Sequence, residues 1–422
     1  MPQPSSPRVV ALWLTLWAAT GCPGTTPSVD VMALRDPVTC QGCHPEHYRE
    51  WAGSMHAYAS VDPVFVAMNA RAQTDTAGAL GDFCVRCHAP MAWATGATTD
   101  GLNLASLPAS LQGVGCVYCH SVTAVEGTHN NPLVVQEDGM MRGGIRDPFP
   151  SQVHGSLYSK LHDRDELGSS ALCGACHDLV VPSGLHLERG YAEWQESLYA
   201  KPESGGALSC SGCHMPGQTG PVASVEGAPV RRRKSHAFPG VDVALIDFPE
   251  RETQAALVQR SLDNTLGATL CVEDIGGLAE VSVDLENLAA GHAFPSGATQ
   301  DRRVWVEVRA FLGAEEIYRS GVVEEGVPMT EVADPSRWEL GHRIFDENDD
   351  EVLLFWEAYH MRGELLPAPT AASASLPGYR DTHVIRTYLI PGLPPDRVTM
   401  RVLVRPIGLD ILDELIESGD LS

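Results

Sequence analysis

Hydrophobic and polar positions fall into three textures along the chain. Arg8 is followed by an apolar run, Val9 to Ala19, which is too short to span a bilayer. From residue 40 to about 246 the hydrophobic periodicity is weak, and only short helices and loops are expected there. Beyond 246 the pattern sharpens. Residues 249–262 read as a helix, and Leu278–Leu285, Arg303–Phe311 and Arg397–Val404 alternate apolar with polar as half-buried strands do. Val304–Val308, a turn around Gly313-Ala314-Glu315, and then Ile317-Tyr318 predict a hairpin. Pro367–Pro377 reads as a long loop and Leu409–Ile416 as a terminal helix. Short strands with turn signals predict a β-sandwich domain over 247–422. The expected class is therefore α + β and multidomain, with a mainly helical and irregular domain at 40–246 and the sandwich after it.

Composition narrows the function classes. Among 422 residues, 29 Lys and Arg face 54 Asp and Glu, a net charge of −25, and a field of that sign repels phosphate backbones. Nucleic acid is excluded as a natural partner. Small residues ahead of Cys22 (Ala19-Thr20-Gly21-Cys22) resemble a bacterial lipobox, which implies export and a lipid anchor on Cys22. Residues 1–22 are then signal and lipidation site, and 23–39 a Pro/Gly/Thr/Ser tether. The expected location is the periplasmic side of the outer membrane or the cell surface. Cleavage removes Arg8 and no acid, so the mature chain is still more acidic.

The cysteines carry the chemistry. Ten of the twelve form five C-x-x-C pairs, each followed at once by His: Cys40/Cys43/His44, Cys84/Cys87/His88, Cys116/Cys119/His120, Cys173/Cys176/His177 and Cys210/Cys213/His214. Random placement gives on the order of 0.01 such motifs. Two thiols three positions apart reach the two vinyl groups on one edge of a haem, and the adjacent His is delivered to the iron. Zinc takes four ligands and does not require a His after every pair, and disulfides give no reason for the histidines. Five covalently bound haems c are expected. The motif starts are 44, 32, 57 and 37 residues apart, so no repeat period exists and the haem region is one irregular domain whose core is largely macrocycle. Cys22 and Cys271 are left over, and Cys271 reads as a small buried hydrophobe.

Two further similarities lie within the chain. Tyr48–Ser54 and Tyr191–Ser197 share Y-x-E-W-x-x-S on expected helices, with Trp51 and Trp194 packing against haem faces; five residues after the Trp stands His56 in one and Tyr199 in the other. His236-Ala237-Phe238-Pro239-Gly240 and His292-Ala293-Phe294-Pro295-Ser296-Gly297 are near-identical, and a Pro/Gly turn after a His suits a ligand arriving from outside the local haem loop. The cluster Arg231-Arg232-Arg233-Lys234 reads equally as a solvated loop or as partner of haem propionates.

With these strings, with Gly113–His120 and Ala171–Asp178, and with Cys210–His214 followed by Met215-Pro216, residues 36–242 resemble one broad family. It is that of the multihaem cytochromes c: nitrifier tetrahaem cytochromes, pentahaem nitrite reductases and octahaem hydroxylamine oxidoreductases. Asn287 through His292, Pro295, Gly297 and Arg302 resemble the β-domain at the C-terminus of uncharacterised bacterial multihaem cytochromes. The resemblance implies His56, His154, His236 and His292 as second iron ligands, with His129 and His162 as weaker candidates. No motif ends in Lys as the catalytic motif of pentahaem nitrite reductases does, so their activity does not carry over. The expected function is electron transfer through closely packed haems, with redox proteins bearing a basic docking face as partners. The alternative is an enzyme acting on a small nitrogen or sulfur species at one haem left open.

Overall fold

The computed structural model describes residues 30–421 except Gln152, so the signal, Cys22 and the first residues of the tether lie outside the described residues. Proline at the first turn starts helices α1 (Pro45–Ala52) and α2 (Pro63–Asp75), where its missing N–H costs nothing, and the Asp62 carboxylate caps α2 through the Val64 N–H. The N-terminal domain continues as single helical turns and two-stranded ribbons around α3 (Gly190–Glu196). Helix α4 (Arg251–Asp263) leads into the sandwich.

Two antiparallel sheets form that domain. One has the order β8-β2-β1, with β1 at Leu266–Asp274, β2 at Leu278–Asn287 and β8 at Val384–Pro391. The other is built on β3 (Arg303–Leu312), which pairs with β4 (Glu315–Ser320), β5 (Trp338–Phe345) and β9 (Arg397–Arg405); β6 (Glu351–Val352) and β7 (His360–Glu364) extend β5. Gly313, at φ +61°, turns the β3–β4 hairpin. Every second residue of β2 (Ala279, Val281, Val283, Leu285) is sealed at 0% exposure against Val304, Val306, Val308 and Ala310 of β3. This period-2 burial contributes about 1.5–3 kcal/mol for each large side chain.

Helix α5 (Leu409–Glu417) leaves the sandwich and buries Ile411 and Leu415 against Val64 and Ala67 of α2, which ties the last residues to the first domain. A bidentate pair does the same elsewhere: the buried Arg302 guanidinium donates to both carboxylate oxygens of Asp242, at 2.8 and 3.1 Å, and to the Ser296 carbonyl at 2.9 Å. Cys271 corrects an expectation. In β1 it stands opposite Ser282 on the outer face and is exposed, because Leu270 takes the inward position opposite Val283.

Candidate metal centres

In each motif the His backbone N–H lies one helical turn after the first Cys. His44, His88 and His177 donate to the carbonyls of Cys40, Cys84 and Cys173 at 2.8, 3.1 and 3.0 Å, and Cys116–His120 and Cys210–His214 are α-helical turns. Residues i, i+3 and i+4 share one helix face, so both thiols and the imidazole of each motif point the same way. The Ser209 hydroxyl caps the last of these turns through the Gly212 N–H. All the described cysteines are free of disulfides.

The second cysteines of the motifs are not placed alike. Cys87, Cys119 and Cys213 lie within helical turns, at Val85–His88, Cys116–His120 and Cys210–His214. Cys43 and Cys176 depart from this and lie in the turns just past Val38–Gln41 and Ser170–Gly174. The turn still spaces the thiols as a helix would, because the Cys43 N–H donates to the Cys40 carbonyl at 3.2 Å and the Cys176 N–H to that of Cys173 at 3.1 Å. Cys43 is half-buried, and its carbonyl accepts from the Ser224 N–H at 2.7 Å, so a distant loop holds this motif from outside. That loop also supplies the Val222 carbonyl that faces the His44 ring.

Ring geometry pairs the motif histidines with others far away in sequence. His44 and His154 have ring centres 6.3 Å apart, His177 and His56 6.2 Å, His120 and His236 6.2 Å, and His214 and His292 6.4 Å. An imidazole nitrogen binds a metal at about 2 Å, and the ring centre lies roughly 1 Å further back. Two imidazoles on one iron therefore hold their centres about 6 Å apart. Each of the four pairs joins one motif to one further His, and no His is used twice.

The tautomers agree with this arrangement. A carbonyl only accepts, so a ring nitrogen facing one carries the proton and the other nitrogen keeps its lone pair. Nδ1 of His44 faces the Val222 carbonyl at 3.1 Å, that of His88 faces Ala59 at 3.0 Å, that of His120 faces Arg142 at 2.5 Å, and that of His214 faces Pro239 at 2.8 Å. His154, His236 and His292 spend Nδ1 on the carbonyls of Gly155, Lys234 and Ala293 at 3.0, 3.1 and 3.0 Å. Nε2 is left free to bind a metal in all seven. Burial favours the neutral, ligating form: it pushes His56 down to about 3 and His177 to about 4, and lowers His44, His88, His120, His214, His236 and His292.

His162 is also close to His120, with ring centres 5.6 Å apart. It donates Nε2 to the Cys119 carbonyl at 2.8 Å, however, so the nitrogen that would bind is occupied. His129 meets His186 edge-on at 6.0 Å, away from any motif imidazole. His88 has no second imidazole across from it among the described residues. Phe65 lies flat on its ring, 4.1 Å between centres and 6° between planes.

The motifs also touch one another. Cys116 lowers the Cys40 pKa and Cys173 that of Cys210, while neighbouring Cys40, Cys210 and Cys87 raise those of Cys116, Cys173 and Cys176. Cys213 is exposed. Phe238 stands with its edge to two rings, 4.4 Å from His56 and 5.6 Å from His236. The donor set thus fits haem c: two thiols and one imidazole on each turn, with an opposed imidazole at four of them.

Further contacts hold the other expected positions. Trp51 and Trp194 donate their indole N–H to the carbonyls of Val114 and Leu208, at 2.8 and 2.9 Å, two residues ahead of Cys116 and Cys210. Tyr199 donates its hydroxyl to the Leu288 carbonyl at 3.1 Å. Arg231–Lys234 form a strand of a ribbon with Gly217–Pro221, in which Arg231 pairs with Asp147 at 2.5 Å and Lys234 donates to the His162 carbonyl at 2.5 Å.

Comparison with known proteins bears on the same residues. Residues 39–121, which hold the first three motifs, match the family model "Cytochrome c554 and c-prime". The crystal structure of a penta-heme cytochrome c552 from Thermochromatium tepidum superposes with a TM-score of 0.61, at 18% identity, over 91% of this chain and 94% of that one. The fold is that of a multihaem cytochrome c. No curated protein matches the sequence. The structural match spans both domains, so the sandwich belongs to the same architecture as the haem-binding half.

Proposed function

We propose that the chain is a pentahaem cytochrome c that relays electrons through four irons closed by paired imidazoles and a fifth, at His88, that has none. The four ring pairs at 6.2 to 6.4 Å, each with its own motif, carry this reading. Haem supplies one-electron chemistry, and an iron already holding two imidazoles changes oxidation state with little rearrangement. The neighbouring cysteines of different motifs support an order for the wire. The His44 site adjoins the His120 site through Cys40 and Cys116, the His177 site adjoins His214 through Cys173 and Cys210, and the His88 site branches off through Cys87 and Cys176. Phe238 bridges the two halves, because it touches the second ligands of both the His120 and the His177 sites.

The signal and lipobox support export and a lipid anchor, and no described helix is long and apolar enough to cross a membrane. The net charge of −25 supports a redox partner with a basic docking face. Intact mass of the purified protein tests the haem count: it must show five covalent haems, and fewer would break the wire at the empty motif.

A second reading follows from His88. An iron held there by one imidazole has room for a small nitrogen or sulfur species, and Phe65 and the carbonyl of Ala59 fix the ring from the protein side. Carbon monoxide added to the reduced protein tests it. A shift of one haem's spectrum supports a reactive iron, and no shift removes this reading while leaving the relay intact.

A further inference from the structure

Two distant parts of the chain build the same local assembly. In the first, Trp51 donates to the Val114 carbonyl at 2.8 Å, and the Val114 N–H returns to the carbonyl of His56 at 2.8 Å. In the second, Trp194 donates to the Leu208 carbonyl at 2.9 Å, and the Leu208 N–H returns to the carbonyl of Tyr199 at 2.9 Å. Both acceptors lie two residues before a motif, at Cys116 and Cys210, and both returning carbonyls lie five residues after the Trp. Ser54 and Ser197, three residues after each Trp, donate their hydroxyls to the Trp51 and Trp194 carbonyls at 2.7 and 2.8 Å.

The residue before each Trp completes the match. Glu50 Oε2 accepts from the backbone N–H of His236 at 2.8 Å, and Glu193 Oε2 accepts from that of Ala293 at 3.0 Å. These N–H groups are those of the first residue of one H-A-F-P string and the second residue of the other, and the strings hold the second imidazoles of the His120 and His214 sites. The first string lies in the haem domain and the second between β2 and β3 of the sandwich, so two unrelated loops are held by one device.

We infer that Glu50 and Glu193 are matched positioning residues of a duplicated iron-closing unit, each holding the loop whose histidine binds opposite the motif that its neighbouring Trp anchors. This deepens the relay reading and rests on it. The helix carries Glu and Trp side by side, so one rigid element fixes the motif with the indole and the opposing loop with the carboxylate. The relative position of the two imidazoles is then set by one helical turn rather than by two independent loops. His56 and Tyr199 mark where the copies diverge: the same position provides the second imidazole of the His177 site in one copy and a tether to Leu288 in the other.

A carboxylate-to-N–H hydrogen bond changes an equilibrium by roughly ten- to hundredfold. In the fully loaded, full-length protein, Glu193→Ala should therefore raise the fraction of one iron that loses its second imidazole by that factor. Near-infrared magnetic circular dichroism reads the ligation, and carbon monoxide uptake at that iron should quicken tenfold or more. Glu193→Gln, which keeps an acceptor oxygen, should restore most of the wild-type signal, and Glu50→Ala should produce the same change at a different iron. Wild-type ligation and uptake in both alanine variants, or a loss in Glu193→Ala that the Gln variant shares in full, would overturn the inference. A wild-type protein without four bis-imidazole irons would instead overturn the relay reading, so the two failures are distinguishable.

Discussion

A half-buried and a buried carboxylate, Glu188 and Asp301, make stability depend on pH with a predictable sign. Burial pushes Glu188 up to about 7, against the attraction of Arg302, and Asp301 up to about 6, against Arg303 and Arg302. In the unfolded chain these groups titrate near 4.5 and 3.8. Between those values the folded protein holds protons that the unfolded chain has released, so stability is fully present below about pH 4 and is lost as the pH rises to about 7. Each pKa unit is worth about 1.4 kcal/mol, which gives roughly 3 kcal/mol for either group. Asp301 contributes to the shift of Glu188, so the joint loss is smaller than the sum, about 4 kcal/mol. The assay is the urea midpoint by far-ultraviolet circular dichroism at half-unit steps from pH 4.5 to 8. Other carboxylates, such as Asp163 and Glu307, have lowered pKa values and slope the opposite way, so the readout is the difference from a variant. Glu188→Gln with Asp301→Asn should flatten the fall relative to wild type by about 4 kcal/mol across this window. Parallel pH curves for wild type and variant would refute the reasoning.

The remaining predictions concern single residues. His236→Gln should open one iron, seen as loss of one bis-imidazole signal, whereas His162→Gln should leave the ligation unchanged because its Nε2 is already held by the Cys119 carbonyl. Loaded protein lacking residues 1–22 should show one maleimide-reactive thiol without denaturant, the exposed Cys271, and none in Cys271→Ser. A second reactive thiol would mean an unattached motif. Leu285→Ala, at a fully buried position of β2, should cost about 2–5 kcal/mol in urea unfolding with the visible spectrum unchanged.

What could be read from the sequence was what is encoded locally. Two thiols and a histidine on one turn are a property of five consecutive residues, and alternation along β2, β3 and β9 is a property of eight or nine, so both showed directly. The shared C-x-x-C-H spelling of the motifs hid their differences: Cys43 and Cys176 sit in turns past their helices, and Cys43 is held by Ser224, a residue 181 positions away that no local pattern announces. The two H-A-F-P strings were visible as repeats, but their attachment to Glu50 and Glu193 joins residues 186 and 100 positions apart and left no local mark. Cys271 was misread because its own apolar character was taken as burial, while the parity of β1 was blurred by Gly267, Ala268 and Thr269. Choosing among His129, His154 and His162 required knowing which ring nitrogen meets a carbonyl, which depends on chain packed from elsewhere. Tyr199, which stands where the first copy has His56, donates to the Leu288 carbonyl just past the end of β2, a contact with no local sign in the sequence.

The pairing of the imidazoles is the central claim, and the near-infrared magnetic circular dichroism of the fully oxidised, loaded protein tests it most directly. The account predicts a bis-imidazole charge-transfer intensity equal to four irons per chain, with the fifth iron distinct. Intensity for five irons would place an imidazole opposite His88, and intensity for three or fewer would contradict the pairs seen here.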